Sequence, residues 1–504
     1  MTVVSANITQ VLSACRLNLD GFLDKPQIKY LGSYLSDIGA KTAVIEFDYI
    51  DKDYLEDYAR YYANCFLAYS RRCVRVHFFS KLYTQGDIEK IITCDFVDGL
   101  EDFKAAYLGF VILRPLQQTI IGRTCLVPYA EGDSGRHYKA LQDVSVSFFG
   151  RNLQIRCMPF QEQDTAVAAC ATCALWSAFR VTSDFFKHAV YSPGRITAMA
   201  TEHALSNVRS LPNRSGLTRS DMLYAIRHVG LDPVVIPIVR HNGLDDYTKA
   251  IMLGNIYAYL NLGISVVALG SIVDSSGKVL GGHAVTINGY HLDPSQAVNG
   301  VSVSGLTALN IDKLYVHDDQ VGPYARAIIV PMQIADIGVW VIKYADGVGR
   351  ADENRIFVPD SLVVPVHKKI RLSYEEVWGC VYQFDKIVRI VPNILPPMSW
   401  DITLTNVNVF KAEIRKRNDI TDNEKLILMT KSLPKYLWVL RMLHDNSEWC
   451  TFCVDATDSG QGLNVVASIV PQFLRNIVDA IFDRLPFQAR TPLMRAAKTQ
   501  QTAA

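Results

Sequence analysis

The chain has almost no excess of charge and lacks any long apolar run. Lys and Arg together number 51 and Asp and Glu number 50, so the formal net charge of the 504 residues is +1. This balance gives no electrostatic reason to expect a nucleic-acid partner or an anionic membrane surface. No uncharged apolar run reaches the roughly 18 residues of a spanning helix, and the N-terminus does not resemble a signal peptide. We therefore expect a cytoplasmic protein that binds neither nucleic acid nor membrane.

A disulfide framework and a nucleotide-binding loop are also missing. The eleven cysteines are an odd number, scattered from Cys15 to Cys453, which indicates mostly reduced, buried thiols in a reducing compartment. Gly150 stands alone, outside any glycine-rich phosphate loop. We expect no cofactor.

Length and composition predict about three domains. Hydrophobic residues make up 49% of the chain, which is enough for large cores. We expect an N-terminal α/β accessory region at 1–150, a central domain at 151–335 and a C-terminal mixed α/β accessory region at 336–504. The two accessory regions resemble no family, and they are candidate surfaces for a protein partner.

The periodicity of hydrophobic residues predicts the positions of the strands and helices. Strands are predicted at residues 41–49, 73–79, 106–113, 151–158, 234–239, 265–272, 283–290, 313–317, 339–344, 360–366 and 438–443. Helices are predicted at 53–67, from Cys170 onward, at 222–229, at 255–262 and from 373 onward, and three prolines at 392–397 mark a turn or linker.

Cys170 is the candidate nucleophile. It begins a predicted helix, where the positive end of the helix dipole stabilises a thiolate. Its backbone amide can also form half of an oxyanion hole. Cys173 lies one turn further along the same helix. We favour Cys170 because Cys173 is inside the helix, away from the free amides of the first turn.

An upstream glutamine can supply the second oxyanion donor. Gln163 lies seven residues before Cys170 and Gln161 lies nine residues before it. Gln163 is the first candidate, and Gln161 stays open as the alternative.

His283 and Asp318 complete a candidate triad. His283 follows two glycines and opens a predicted apolar strand, so its imidazole could accept the thiol proton. Asp318 ends the next predicted strand and could hold the imidazole through its other nitrogen. Asp319 is the alternative, and we favour Asp318 because it is the first residue past residues 315–317.

This ordered set resembles the papain-like cysteine peptidase superfamily, and within it the bacteriocin-leader-processing peptidases. The likeness rests on Cys170 and its helix, on a short helix ending at Gly230 and on the strand HAVTINGY from His283, and covers residues 150–335. It implies an α+β fold in which the catalytic helix packs on an antiparallel sheet. It also implies a bacterial cysteine protease that cleaves a peptide or protein substrate. Ala171 stands where the family usually has glycine, and Gln163 is slightly farther from the cysteine than is usual.

Several alternatives remain open. The same residues could pass an acyl group to an amine, as transglutaminases do, or the fold could be a catalytically inactive interaction module. The pairs Cys170/Cys173 and Cys450/Cys453 could in principle bind zinc, but 276 residues separate them and the first pair lies in an alanine-rich helix. We therefore expect no metal.

Overall fold

The structure is a computed structural model that describes Met1 to Thr499 with gaps. The residues outside the description are 17–20, 96–97, 133–134, 165, 203–210, 214–215, 239–245, 275, 294–304, 335–336, 345–355, 390–397, 446, 459–461, 484, 486–489 and 500–504. The predicted proline linker at 392–397 therefore lies outside the described residues. Among the described residues, no helix combines the length and apolar character needed to cross a bilayer.

The chain forms two compact units. One contains Met1–Leu244, Gly263–His291 and Lys313–Pro365, and the other contains Asp245–Leu262, Leu292–Asp312 and Val366–Ala504. The predicted boundaries at 150 and 335 stay a prediction. The class is mixed α and β with mainly antiparallel sheets, which confirms the expected α+β class.

The first unit begins with a five-stranded antiparallel sheet in the order β1-β2-β3-β4-β5. Its strands are β1 (Thr2–Ser5), β2 (Thr42–Tyr49), β3 (Cys73–Phe79), β4 (Tyr107–Leu113) and β5 (Ile121–Leu126). Its helices are α1 (Ile8–Ala14), α2 (Pro26–Asp37), α3 (Lys52–Arg60), α4 (Gln85–Thr93) and α5 (Leu100–Ala105). The helix predicted at 53–67 is shorter than expected, because a separate 3₁₀ turn follows it at Tyr62–Asn64.

A second sheet in this unit has eight strands. They are β6 (Arg136–His137), β9 (Asp232–Pro237), β10 (Val266–Val273), β11 (Val279–Leu292), β13 (Ile311–Asp318), β14 (Gly322–Ile334), β15 (Ile337–Tyr344) and β16 (Ile356–Val366). A hairpin of β7 (Gln142–Phe148) and β8 (Arg151–Cys157) pairs separately.

The eight-stranded sheet closes on itself. Strand β10 pairs with β11 on one side and with β16 on the other, so β10, β11, β13, β14, β15 and β16 form a ring. Gly270 permits this pairing, since a Cβ there would lie 2.1 Å from the carbonyl oxygen of Val358. The prediction that His283 opens a strand is wrong. Strand β11 starts four residues earlier because its glycines pair with β10.

Three helices pack near this sheet: α6 (Cys170–Phe186), α7 (Pro193–Thr201) and α8 (Arg219–His228). Apolar residues of α6, including Leu175 and Phe179, share a buried cluster with Val267 of β10 and Ala284 of β11. Helix α8 begins at the capping box of Thr218 and Asp221, where the sequence suggests a helix start.

The second unit has its own five-stranded sheet in the order β12-β17-β18-β19-β20. The strands are β12 (Gly305–Leu306), β17 (Ser399–Asn406), β18 (Tyr436–His444), β19 (Ser447–Asp455) and β20 (Val465–Ile469). Its helices are α9 (Asp246–Leu262), α10 (Tyr374–Val388), α11 (Val407–Lys416), α12 (Asp422–Thr430), α13 (Gln472–Phe482) and α14 (Pro492–Thr499).

Candidate active site

Cys170 is the first residue of α6 and is half-buried. The preceding residue, Ala169, is extended and gives the helix no side-chain cap. The first amides of an α-helix have no partner within the helix, so they remain available to an anion at this end. The thiol therefore lies where the helix field favours negative charge.

Asp164 shapes the loop that leads to Cys170. One oxygen of its buried carboxylate accepts hydrogen bonds from the backbone amides of Ala166, Val167 and Ala168 at 3.1, 2.7 and 2.8 Å. The other oxygen accepts the hydroxyl of Tyr62 at 2.8 Å. These contacts hold the backbone that leads to Cys170.

Helix α7 supports the same loop. The Thr197 hydroxyl donates to the carbonyl of Val167 at 2.8 Å. The amide of Gly194 donates to Asp57 at 2.8 Å, and a Cβ on Gly194 would lie 2.6 Å from the Val167 side chain. Only glycine fits this close approach.

His283 and Asp318 meet on neighbouring strands. Nε2 of His283 lies 3.1 Å from a carboxylate oxygen of Asp318, and both side chains are buried. Strand β11 carries the histidine and β13 ends at the aspartate. The structure thus joins two predicted site residues that are 35 positions apart in the chain.

The pKa of His283 reflects these neighbours. Burial disfavours the charged ring, but the charge of Asp318 and hydrogen bonds with Asp318 and Cys170 outweigh it and raise the pKa well above its ordinary value. Nδ1 has the side-chain amide of Gln320 at 3.5 Å. Because Nε2 is bonded to Asp318, Nδ1 is the nitrogen left to exchange a proton with the thiol.

Asp318 is held as a carboxylate by several donors. Besides His283, it accepts the backbone amide of Gln320 at 2.8 Å and the hydroxyl of Tyr344 from β15. Burial acts to raise the pKa of Asp318, but His283, Tyr344 and this amide lower it below its usual value. A fixed negative charge therefore stays beside the imidazole.

A direct contact links the helix to the histidine strand. The hydroxyl of Thr286 in β11 donates to the carbonyl of Ala174 in α6 at 3.0 Å, and both groups are buried. Thr286 is three residues after His283 and Ala174 is four residues after Cys170. The bond ties β11 to α6 close to His283 and Cys170.

Gln161, rather than Gln163, lies beside Cys170. A small cavity is lined by Phe160, Gln161, Cys170, Cys173, Ala174, Ser177, Ala284, His317 and Asp319, and Gln163 is not part of this lining. Gln161 is buried with 4% exposure, and within the described part of the chain its Nε2 has no hydrogen-bond partner. Of the two glutamines left open by the sequence, Gln161 has the better position for an oxyanion donor.

Asp319 is buried beside Asp318, but it differs from Asp318 in its hydrogen bonds and in the direction of its pKa shift. Among the described residues, none other than itself donates a hydrogen bond to either of its carboxylate oxygens. Burial raises the pKa of Asp319 to about 7, with opposing effects of His283 and Asp318. Asp318, not Asp319, contacts the histidine as the favoured interpretation expects.

Three other cysteines, Cys173, Cys450 and Cys453, have the properties of core thiols. Burial raises the pKa of Cys173 well above its ordinary value, and Asp319 adds to this effect, so Cys173 stays protonated. Cys450 and Cys453 lie buried on β19, where burial raises the pKa of both thiols.

A metal site is an alternative interpretation for His283, Asp318 and Asp319, because these three residues lie close together. Each offers a ligand atom, and the three atoms lie within 4.8 Å of one another. However, the hydroxyl of Tyr344 and the amide of Gln320 both point hydrogens at Asp318. These donors and the bond to His283 pair Asp318 with the imidazole, an arrangement that suits proton transfer.

Comparison with known proteins gives no family. Neither models of protein families nor curated proteins match this chain. The geometry of the site is therefore the ground for a functional assignment.

Two residues that shape the site, Asp164 and Tyr344, were not predicted from the sequence. Asp164 begins a run of small residues in which a carboxylate can bond amides two to four positions ahead, and this Asx pattern could have been recognised. Tyr344 gave no local signal, since it reaches Asp318 from β15, 26 residues later.

Proposed function

We propose that this chain is a papain-like cysteine hydrolase that cleaves a peptide or isopeptide bond through Cys170. The observation that carries the proposal is the buried His283–Asp318 hydrogen bond of 3.1 Å. Cys170 at the start of α6 is near enough to contribute to the raised pKa of the same imidazole. A nucleophile, a base and a group that orients the base are the parts this chemistry requires.

In the proposed reaction, His283 takes the thiol proton and the Cys170 sulfur attacks the substrate carbonyl. The amide of Cys170 and the side-chain amide of Gln161 stabilise the oxyanion. The protonated imidazole then gives its proton to the leaving amine as the C–N bond breaks. Water attacks the thioester with His283 as base, which releases the acid and restores the thiol. Asp318 keeps the ring oriented and stabilises its charge.

The fold supports this assignment. Helix α6 begins at the nucleophile and packs on an antiparallel sheet whose strands carry His283 and Asp318. This is the layout implied by the resemblance to leader-processing peptidases, and it favours a peptide or protein substrate. All eleven cysteines are free, which fits the proposed cytoplasmic location because disulfides are rare there.

The test uses iodoacetamide at limiting concentration near neutral pH, with mass spectrometry of each cysteine peptide. Cys170 should be alkylated in preference to the ten other cysteines, and His283→Ala should remove the preference. His188→Ala, at the far end of the same α6 region, is the matched control and should keep it. Equal labelling of Cys170 and the exposed Cys94 would favour the inactive interaction module.

A second experiment with an added amine distinguishes a peptidase from a transglutaminase-type acyltransferase. Wild type and Cys170→Ala are offered a mixture of peptides with and without excess primary amine. Hydrolysis products in both conditions support a peptidase, and amide products that form only with the amine would support a transglutaminase-type transferase instead.

A further inference from the structure

Two buried polar groups beside Cys170 have unmet hydrogen-bonding capacity. Asp319 is 4% exposed and Gln161 is 4% exposed. Within the described part of the chain, no other residue bonds either carboxylate oxygen of Asp319 or Nε2 of Gln161. Such groups are rare in folded proteins, because each unpaired group loses its bonds to water without replacement.

Both groups line the same small cavity at the first two turns of α6. The space open to a water-sized molecule is about 10 Å³, which is close to the minimum that a single buried water occupies. The remaining lining includes apolar groups such as Phe160 and Ala284. Ser177, His317 and two thiols also line the cavity, and both ring nitrogens of His317 are already paired with backbone groups. Because Gln161 Nε2 and the Asp319 carboxylate are the lining atoms without a partner among the described residues, a water there would bond to these two groups.

We propose that one buried water molecule joins Gln161 to Asp319, and that Asp319 is thereby a positioning residue for the oxyanion donor. The water accepts one Nε2 hydrogen of Gln161 and bonds to the Asp319 carboxyl group. The second Nε2 hydrogen then points to the carbonyl oxygen under attack. This inference rests on the proposed hydrolase function and adds a role that the triad does not include.

The electrostatic surroundings agree with this arrangement. Burial, with Asp318 and Glu162 adding to it and His283 opposing it, brings the pKa of Asp319 to about 7. The carboxyl group can therefore exist in either protonation state near neutral pH, and in each state it can bond to a water. Asp319 needs no permanent charge for this role, so asparagine should replace it.

Two reagents distinguish positioning of the oxyanion donor from activation of the thiol. p-Nitrophenyl acetate acylates Cys170 through a tetrahedral oxyanion: the S–C bond forms, the C–O bond breaks and p-nitrophenolate leaves. Iodoacetamide alkylates the same sulfur by direct displacement of iodide, with no oxyanion. The difference between the wild type and Cys170→Ala gives the rate at Cys170 for each reagent.

Asp319→Leu should slow acylation roughly ten- to a hundredfold, because the displaced amide no longer meets the oxyanion. Its alkylation rate should equal that of Asp319→Asn, because both variants lack the carboxylate that also acts on His283. Asp319→Asn should restore acylation to near the wild-type rate. In a Gln161→Ala background, Asp319→Leu should have no further effect, since the donor it positions is already absent.

Equal losses in acylation and alkylation for Asp319→Leu would overturn the proposal, because they would place its effect on His283 or on the fold. Additive losses with Gln161→Ala would overturn it as well.

A crystal structure of the unreacted wild type provides a readout without any activity. It should contain a water within hydrogen-bond distance of both Gln161 Nε2 and Asp319, and an empty cavity would refute the proposal. A wild type whose Cys170 reacts with neither reagent would instead refute the hydrolase assignment itself, whatever the cavity holds.

Discussion

The loop before Cys170 and the turn after β13 each depend on a buried aspartate, but the donors differ. Asp164 accepts three backbone amides and one tyrosine hydroxyl. Asp318 accepts an imidazole, a tyrosine hydroxyl and one backbone amide. The first set fixes the path of the chain, whereas the second set keeps a negative charge beside an imidazole. The same side chain can therefore serve architecture or chemistry, depending on what bonds to it.

The largest expected effect is on acyl transfer in Asp318→Asn. Without its charge the imidazolium is no longer stabilised, so acylation of Cys170 by p-nitrophenyl acetate should fall by roughly 10²–10⁴-fold. The protein should still fold, which circular dichroism checks. Asp164→Asn is the matched variant. If both variants fold and lose the same acylation rate, the proposed difference between Asp318 and Asp164 is wrong.

Asp164→Ala should mainly change stability. It leaves three amides and the Tyr62 hydroxyl without their acceptor, and we expect the free energy of unfolding to fall by about 3 kcal/mol. Urea denaturation measures this. Asp184→Ala, which removes an exposed aspartate from α6, is the control and should change stability by less than about 0.5 kcal/mol. Similar values for the two variants would contradict the architectural role of Asp164.

The pH dependence of stability tests the role of Asp318 in the comparison of the two aspartates. The pKa of His283 is higher in the folded protein than the value of about 6.5 for an unfolded chain. The bond between His283 and Asp318 therefore contributes its full stabilisation below pH of about 6.5. This contribution is lost as the pH rises through the pKa of the folded state. The pKa of Asp318 is lowered, so its contribution is lost only as pH falls through that lowered value. The stability difference between wild type and Asp318→Asn should therefore be largest in weakly acidic solution.

Nuclear magnetic resonance of the His283 ring gives the same test directly. In Asp318→Asn, burial is opposed only by the smaller effects of Cys170 and Asp319, and the pKa of His283 should drop from well above its ordinary value towards that value. A ring that titrates at the same pH in both proteins would show that Asp318 does not set its charge.

The smallest expected effect concerns the tie between α6 and β11. Thr286→Val keeps the shape but removes the hydroxyl that donates to Ala174, and stability should fall by about 1 kcal/mol. Acylation should fall with it by a few fold. Thr201→Val, which loses a comparable bond inside α7, should change stability without changing acylation at Cys170. Equal acylation rates in the two variants would mean that this tie has no part in positioning.

The ordered set of Cys170, His283 and Asp318 was predictable because each residue sits at a local signal: a helix start, a glycine pair and a strand end. The helix begins at Cys170 and β13 ends at Asp318, as the pattern indicates. The choice between Gln161 and Gln163 was not predictable, because the loop path depends on Tyr62, 102 residues upstream of Asp164. The start of β11 was missed because pairing with β10 holds two glycines that have low strand propensity.

The ring of strands has a consequence for motion at the site. A one-residue slip of β11 would carry His283 to the other face of the sheet, and in a ring every neighbouring strand would have to slip with it. The ring thereby opposes a register slip that would separate His283 from Asp318. Amide hydrogens of β11 and β13 near these residues should consequently exchange with deuterium only when the whole unit opens, and late in any time course.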